Sequence, residues 1–102
     1  MNATQKKYFL DQKNFRTLVW DYTLSADEFW EILQGKKTHG WFTQTWAIAR
    51  IIEQVNYYDA ISLIGLDRLY ANWDMIKTKI FNISIKRGYE FVLRRYALSV
   101  TG

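Results

Sequence analysis

The chain has 102 residues, of which 49% are hydrophobic and 24% charged, with no Cys and no Pro. A chain of this length buries about two-thirds of its unfolded surface, which is enough for one core, so we expect a single globular domain. No apolar stretch approaches the ~20 residues that cross a bilayer, and none follows the basic residues near the N-terminus. The absence of cysteine excludes a disulfide framework. These features predict a cytoplasmic protein without membrane spans.

The net charge of +4 is unevenly distributed along the chain. Residues 1–16 sum to +3, residues 21–74 to −4 and residues 77–95 to +5. In one interpretation the basic ends fold back onto the acidic middle, and the domain balances its own charges. In the other, the basic ends form a patch for nucleic acid, for which a pI of about 9.4 is high enough.

The first 22 residues are expected to form an arm followed by an extended segment. Residues 1–14 are polar and without sustained periodicity, which predicts an N-terminal arm. Within it, Tyr8, Phe9 and Leu10 form a short apolar cluster. Residues 15–22 contain a β-branched and aromatic run that favours an extended segment. A lone strand leaves unpaired backbone groups, so this segment is also a candidate for pairing with a second copy.

A helix is predicted to begin at Ala26. Ser25 and Glu28 have the spacing of a capping box, and Leu24 with Phe29 has the spacing of a hydrophobic staple. Gly35 is expected to end this helix, because glycine readily adopts the left-handed backbone conformation found at helix C-termini.

The clearest periodicity predicts a central helix over residues 41–55. Its apolar stripe is Trp41, Thr45, Ile48, Ile52 and Val55. The opposite face is expected to hold Thr43, Ala47, Arg50 and Gln54.

Three further helical pieces follow. Asn56 either ends the central helix or caps a short helix that ends at Gly65. The segment from residue 66 is expected in two pieces, with a kink near Asp74. Asn82 or Ser84 caps the final helix, and Gly88 there offers room for a neighbouring backbone. Its inner stripe is predicted to be Ile85, Tyr89, Val92 and Tyr96. The chain is therefore predicted to be all-α: a compact bundle of about five short helices over residues 15–102, with an extended N-terminal segment.

Residues that could support catalysis are scarce. His39 is the one histidine and lies in a polar loop, which favours a solvated side chain over a ligand or base. Asp27, Glu28 and Glu31 lie in the first turns of a helix, where carboxylates stabilise the helix dipole. No glycines have the spacing of a phosphate-binding loop. We therefore predict no enzyme activity, cofactor, metal site or small-molecule substrate.

Aromatic residues are unusually frequent, at 18% of the chain. Because a core of about 100 residues can hardly enclose eighteen large rings, some are expected to be exposed to a partner. Aromatic and arginine side chains are enriched at protein interfaces, and aromatic rings beside basic groups also stack with single-stranded nucleic acid.

Four groups of residues occur in an order that resembles a family of short, uncharacterised prokaryotic helical proteins. They are Leu18-Val19-Trp20-Asp21, a capped helix with Phe29, Trp30 and Leu33, then Trp46-Ala47-x-x-Arg50-Ile51-Ile52-Glu53, and Tyr58-Asp59-Ala60. Genes of this family often neighbour nucleotidyltransferase-like toxins. The resemblance spans about residues 15–96 and implies an antitoxin-like or accessory role.

Two functions are predicted as alternatives. The favoured one is a non-enzymatic module that binds another protein or its own copy, with partner-binding candidates Trp20, Tyr58, Arg87, Arg94 and Arg95. The alternative is a nucleic-acid-binding protein that uses its basic arm and last helix, including Lys6, Lys7, Lys77, Lys79 and Lys86, on phosphates.

Overall fold

The computed structural model describes residues 2–19, 24–38, 40 and 42–101, with side chains to residue 99. This part of the chain forms seven α-helices and contains no β-strand. The helices are α1 (Ala3–Phe9), α2 (Gln12–Val19), α3 (Ala26–Leu33), α4 (Gln44–Gln54), α5 (Tyr57–Ile64), α6 (Leu66–Ile76) and α7 (Ile83–Thr101), with a 3₁₀ helix at Lys77–Lys79. The all-α prediction is confirmed, but the predicted number of about five helices is wrong: those helices correspond to α3–α7, and α1 and α2 were not predicted.

The predicted extended segment at residues 15–22 is wrong as far as Val19, because α2 continues to that residue. Asp11 Oδ1 accepts hydrogen bonds from the backbone N of Lys13 and Asn14, which starts the helix. Phe15, Leu18 and Val19 then lie on one buried face at helical spacing. The β propensity of the run is a weak preference, and burial of this face outweighs it.

Within the predicted arm, residues 3–9 form helix α1. Asn2 and Gln5 form a capping box at its start. Tyr8 and Phe9 are buried in the same core as the rest of the molecule. The domain boundary at residue 14 stays a prediction.

Aromatic rings from four helices fill one side of the core. Phe29 of α3 is fully buried, and its ring centroid lies 5.8 Å from Phe9, 6.0 Å from Phe15 and 5.7 Å from Trp46. Trp30 packs edge-on against Phe9 at 5.1 Å. These tilted and edge-to-face contacts join α1, α2, α3 and α4.

Helix α4 lies at the centre and packs against α2, α3, α5 and α6. Thr43 caps its first turn, so the helix begins later than the predicted residue 41, and Trp41 lies outside the described residues. Ala47 was expected on the opposite face, but it is fully buried, as is Ile51. A helix surrounded by neighbours buries more than one face, which a single apolar stripe does not reveal.

The predicted helix ends are confirmed at four positions. Ser25 and Glu28 form the capping box of α3, and Gly35 follows that helix with a φ of 74°. Asn56 caps α5, which ends at Gly65 with a φ of 90°. The two pieces predicted after residue 66 correspond to α6 and the 3₁₀ helix, which divide after Ile76 rather than near Asp74.

Candidate functional site

Helix α7 lies on the outside of the molecule and packs mainly on α6. Its buried face centres on Tyr89 and Leu93, whereas Val92 of the predicted stripe is only half-buried. Tyr96 Oη donates a hydrogen bond of 3.0 Å to Asp67 Oδ1, and this bond fastens the far end of α7 to α6. Gly88 was predicted to leave room for a neighbouring backbone, but no neighbouring atom lies within 4 Å of where its Cβ would be.

The opposite side of α7, which we call the outer face, combines apolar and cationic side chains. At about 100° per residue, the exposed positions that turn away from the core share one side of the helix. Those with apolar or cationic side chains are Ile83, Arg87, Phe91, Arg94, Arg95 and Leu98. Exposed fractions are 60% for Ile83, 56% for Phe91 and 72% for Leu98. The outer face is about 22 Å long, because a helix rises 1.5 Å per residue.

The outer face carries three arginines, and a carboxylate borders it at Glu90, one turn before Arg94. Glu90 is the one acidic residue of α7, and it lies toward α6, where its Oε2 accepts a hydrogen bond of 3.3 Å from Trp73 Nε1. The guanidinium of Arg95 lies 5.6 Å from the centre of the Phe91 ring, a cation–π contact at the surface. Positive charge and exposed apolar area therefore coincide on one helix face.

Among the candidate partner-binding residues, the structure brings Arg87, Arg94 and Arg95 together on this face. Tyr58 is 82% exposed, but it lies in the first turn of α5, edge-on to Tyr57. Trp20 lies outside the described residues. Sequence reasoning did not assign Phe91 and Leu98 to the site; their spacing from Arg87 and Arg94 on a helix was the available signal.

The lysines of the nucleic-acid alternative lie on three separate elements. Lys6 and Lys7 belong to α1, which packs on α2, α3 and α5, whereas Lys86 belongs to α7. Lys7 Nζ forms an ion pair with Asp59 at 3.0 Å, and Lys77 Nζ forms one with Asp74 at 3.5 Å. Lys79 is exposed. Two of these five cations are therefore engaged by carboxylates of the chain itself.

Asp59 forms a polar junction between α1 and α5. Its Oδ2 accepts hydrogen bonds from Lys7 Nζ at 3.0 Å, Tyr8 Oη at 2.9 Å and Asn56 Nδ2 at 3.0 Å. The pKa of Asp59 is held below its ordinary value chiefly by the bond from Lys7, with Tyr8 and Asn56 adding to it against partial burial. Burial and the bond to Asp59 raise the pKa of Tyr8 to about 12. The junction has a structural role.

Two arginines of the acidic middle also have structural roles. Arg68 donates to the carbonyl oxygens of Leu33, Ile64 and Leu63, at the C-terminal ends of α3 and α5. Arg50 Nε donates to the carbonyl oxygen of Leu18 in α2. These contacts satisfy carbonyls that helix ends leave without intrahelical partners. Burial lowers the pKa of Arg68.

A groove of about 600 Å³ lies between α6 and α7, where Glu90 and Arg94 line it, and two further grooves border the neighbouring helices. One, of about 780 Å³, lies between α4 and the 3₁₀ helix, where Glu53 Oε1 accepts a hydrogen bond of 3.0 Å from the backbone N of Phe81. The other, of about 560 Å³, lies between α7 and the α4–α5 junction. Within the described residues, no group of three His, Asp or Glu side chains could hold a metal ion.

The described helices include none long and apolar enough to cross a membrane. No protein-family model, curated protein or solved structure matches the chain. The resemblance to the toxin-neighbouring family therefore stays a prediction, and the function has to be argued from the surface of the molecule.

Proposed function

We propose that this chain is a non-enzymatic protein-interaction module that binds an acidic protein through the outer face of α7. The observation that carries the proposal is the exposure of Ile83, Phe91 and Leu98 on the side of the helix that also holds three arginines. Exposed apolar side chains of this size favour burial against a partner, and arginine is among the residues enriched at interface hot spots.

The positive charge of the outer face favours an acidic partner over a second copy of the chain. Two copies joined symmetrically through this face would place the arginines of each against those of the other, and like charges oppose such contact. A partner with carboxylates around an apolar centre would neutralise Arg87, Arg94 and Arg95 while covering Phe91 and Leu98. An antitoxin-like or accessory role, as implied by the family resemblance, is compatible with binding one acidic protein.

The test compares two charge-reversal variants that change the net charge equally. The first replaces Arg87, Arg94 and Arg95 by Glu on the outer face. The second, the matched control, replaces Lys6, Lys13 and Arg16 by Glu, all exposed on α1 and α2. Affinity capture from the native host, with and without nuclease, identifies candidates, and the captured protein is then purified and titrated directly. Circular dichroism confirms that both variants fold.

The proposal expects an acidic protein whose capture resists nuclease and weakens as salt rises. Its affinity falls by about tenfold or more with the outer-face variant and changes little with the control. Phe91→Ala, an exposed position with no folding role, weakens binding by about tenfold as well.

Three results would overturn the proposal. One is retention of the same partner at equal affinity by the outer-face variant. Another is a nuclease-sensitive complex that the control variant loses, which is the result expected of the nucleic-acid alternative. The third is a stable homodimer of the wild-type chain, detected by light scattering, that dissociates in the Phe91→Ala variant.

A further inference from the structure

A second surface feature is independent of the outer face of α7. The groove of about 560 Å³ runs between α7 and the junction of α4 with α5. Its walls are mostly aliphatic and aromatic and include Ile52, Val55, Tyr57, Ile85, Tyr89 and Val92. The volume lies within the ~300–1,000 Å³ typical of small-molecule sites, which are also mainly apolar with few polar groups.

The polar side chains that line this groove are Glu53, Gln54, Asn56, Tyr57 and Tyr89, and the hydroxyl of Tyr89 is buried and lacks a partner. The Tyr89 side chain is only 6% exposed, and its buried Oη makes no hydrogen bond within the described part of the chain. By contrast, Tyr8 Oη donates to Asp59, and Tyr96 Oη donates to Asp67. A buried hydroxyl without a partner is uncommon in native proteins and requires an explanation.

The protonation state of Tyr89 is set by its surroundings. Burial, with the nearby Tyr57 adding to it, raises the pKa of Tyr89 to about 12. At neutral pH the group is therefore a neutral hydroxyl that can donate one hydrogen bond. A ligand that supplies an acceptor atom would satisfy it.

We propose that this groove binds a small, uncharged aromatic compound whose acceptor atom takes a hydrogen bond from Tyr89 Oη. The rings of Tyr57 and Tyr89, with centroids 5.7 Å apart, offer faces and edges for a flat apolar ligand. No lysine or arginine is among the described residues that line the groove, whereas Glu53 is, so an anionic ligand is disfavoured. Gly88 leaves space open on the α7 side. Because Tyr89 Oη is buried, the proposed bond requires a rearrangement, which we assign to Tyr57, a partly exposed ring in contact with Tyr89.

The experiment uses three probes of similar size with the ¹⁵N-labelled full chain. Acetophenone carries a carbonyl acceptor, ethylbenzene lacks it and benzoate is charged. Acetophenone is expected to shift the backbone amide signals of Gly88 and its neighbours with a Kd on the order of 1 mM, as for a fragment of this size. Ethylbenzene is expected to bind roughly two- to tenfold more weakly, which is the effect of one hydrogen bond. Benzoate should cause no saturable shift.

Tyr89→Phe separates ligand recognition from folding. Because the hydroxyl has no partner, its removal is expected to leave the Tm unchanged or raise it by about 4 °C. The same substitution is expected to abolish the preference for acetophenone over ethylbenzene. Gly88→Leu, which fills the groove, should weaken both probes at least tenfold, whereas Ser99→Leu, at an exposed position of α7, should not.

Two outcomes would overturn the inference. A Tm that falls by several degrees in Tyr89→Phe would mean that the hydroxyl has a partner within the chain. Equal binding of acetophenone by the wild type and both groove variants would mean that the probe binds elsewhere. Neither outcome bears on the outer face of α7, whose partner is tested separately.

Discussion

Helices α3 and α7 differ in the share of their residues that is buried in the core. Helix α3 has eight residues and fully buries Phe29, Ile32 and Leu33. Helix α7 has nineteen residues, yet among its described side chains only Tyr89 and Leu93 fall in the buried core. The short helix is enclosed by α1 and α4, whereas the long one packs mainly on α6 and leaves its other side exposed.

The difference indicates where stability and binding reside. Burial of large apolar side chains is the main favourable term in folding, so α3 and its neighbours form the part that unfolds last. Helix α7 has few buried contacts for its length, and its outer face is free to exchange solvent for a partner.

The largest contrast is expected between two phenylalanines. Phe29→Ala leaves a cavity among Phe9, Phe15 and Trp46, and should reduce the free energy of unfolding by about 3 to 5 kcal/mol. Phe91→Ala removes a ring that is largely exposed and should change it by less than about 0.5 kcal/mol. Urea unfolding followed by circular dichroism measures both. Similar losses in the two variants would contradict the division between core and surface.

The second prediction concerns the junction that fastens α1 to α5. Asp59→Asn removes the charge on which bonds from Lys7, Tyr8 and Asn56 converge, and should cost about 1 to 3 kcal/mol. Asp74→Asn is the control, because that carboxylate is almost fully exposed and pairs only with Lys77 three residues on. The control should lie within about 0.5 kcal/mol of the wild type. Equal effects in the two variants would mean that the junction contributes nothing beyond a surface ion pair.

The same junction has a pH dependence of definite sign. The pKa of Asp59 is lowered by folding, so its ionised form stabilises the native state at pH values above the ordinary pKa of 3.8. This contribution is lost as the pH falls from there through the lowered pKa. Unfolding midpoints measured from pH 7 down to pH 2.5 should therefore fall less steeply in acid for Asp59→Asn than for the wild type. Parallel curves would be inconsistent with the lowered pKa.

A third test compares the helix caps. Ser25 caps α3 within a capping box, and Asn82 Oδ1 accepts from the backbone N of Ile85 at the start of α7. Ser25→Ala should cost about 1 kcal/mol of global stability. Asn82→Ala should mainly increase amide hydrogen exchange in the first turn of α7, with a smaller global loss, because that turn is exposed. The reverse ranking would show α7 to be the more cooperative element.

The sequence correctly predicted those features that depend only on residues close together in the chain. The capping box at Ser25, the cap at Asn56 and the glycines at positions 35 and 65 act within four residues, and each was located from local residue types. Helix α2 was mistaken for an extended segment because its β-branched and aromatic residues have a local preference that burial overrides. The full burial of Ala47 depends on α4 being surrounded, and no single stripe contains that information.

The candidate site could be predicted only in part, because it also depends on contacts between residues that are far apart in the sequence. Arg87, Arg94 and Arg95 were selected by charge, but charge alone did not distinguish them from Lys7 and Lys77, which pair with carboxylates. The role of Asp59 required contacts across 51 and 52 residues of sequence. The unpartnered hydroxyl of Tyr89 is an absence of contacts among the described residues, and only coordinates reveal it.

The smallest predicted effect is a gain in stability. Gly88 lies inside α7, and a Cβ there would meet nothing within 4 Å, so Gly88→Ala adds a methyl group without a clash. Alanine loses less backbone entropy than glycine on forming a helix, which should raise the free energy of unfolding by about 0.5 to 1 kcal/mol. If α7 unfolds locally before the core, hydrogen exchange will slow around residue 88 while the global midpoint moves little. If the global unfolding midpoint instead rises by the full amount, α7 unfolds in the same cooperative unit as α3. The two helices would then differ less in stability than proposed here.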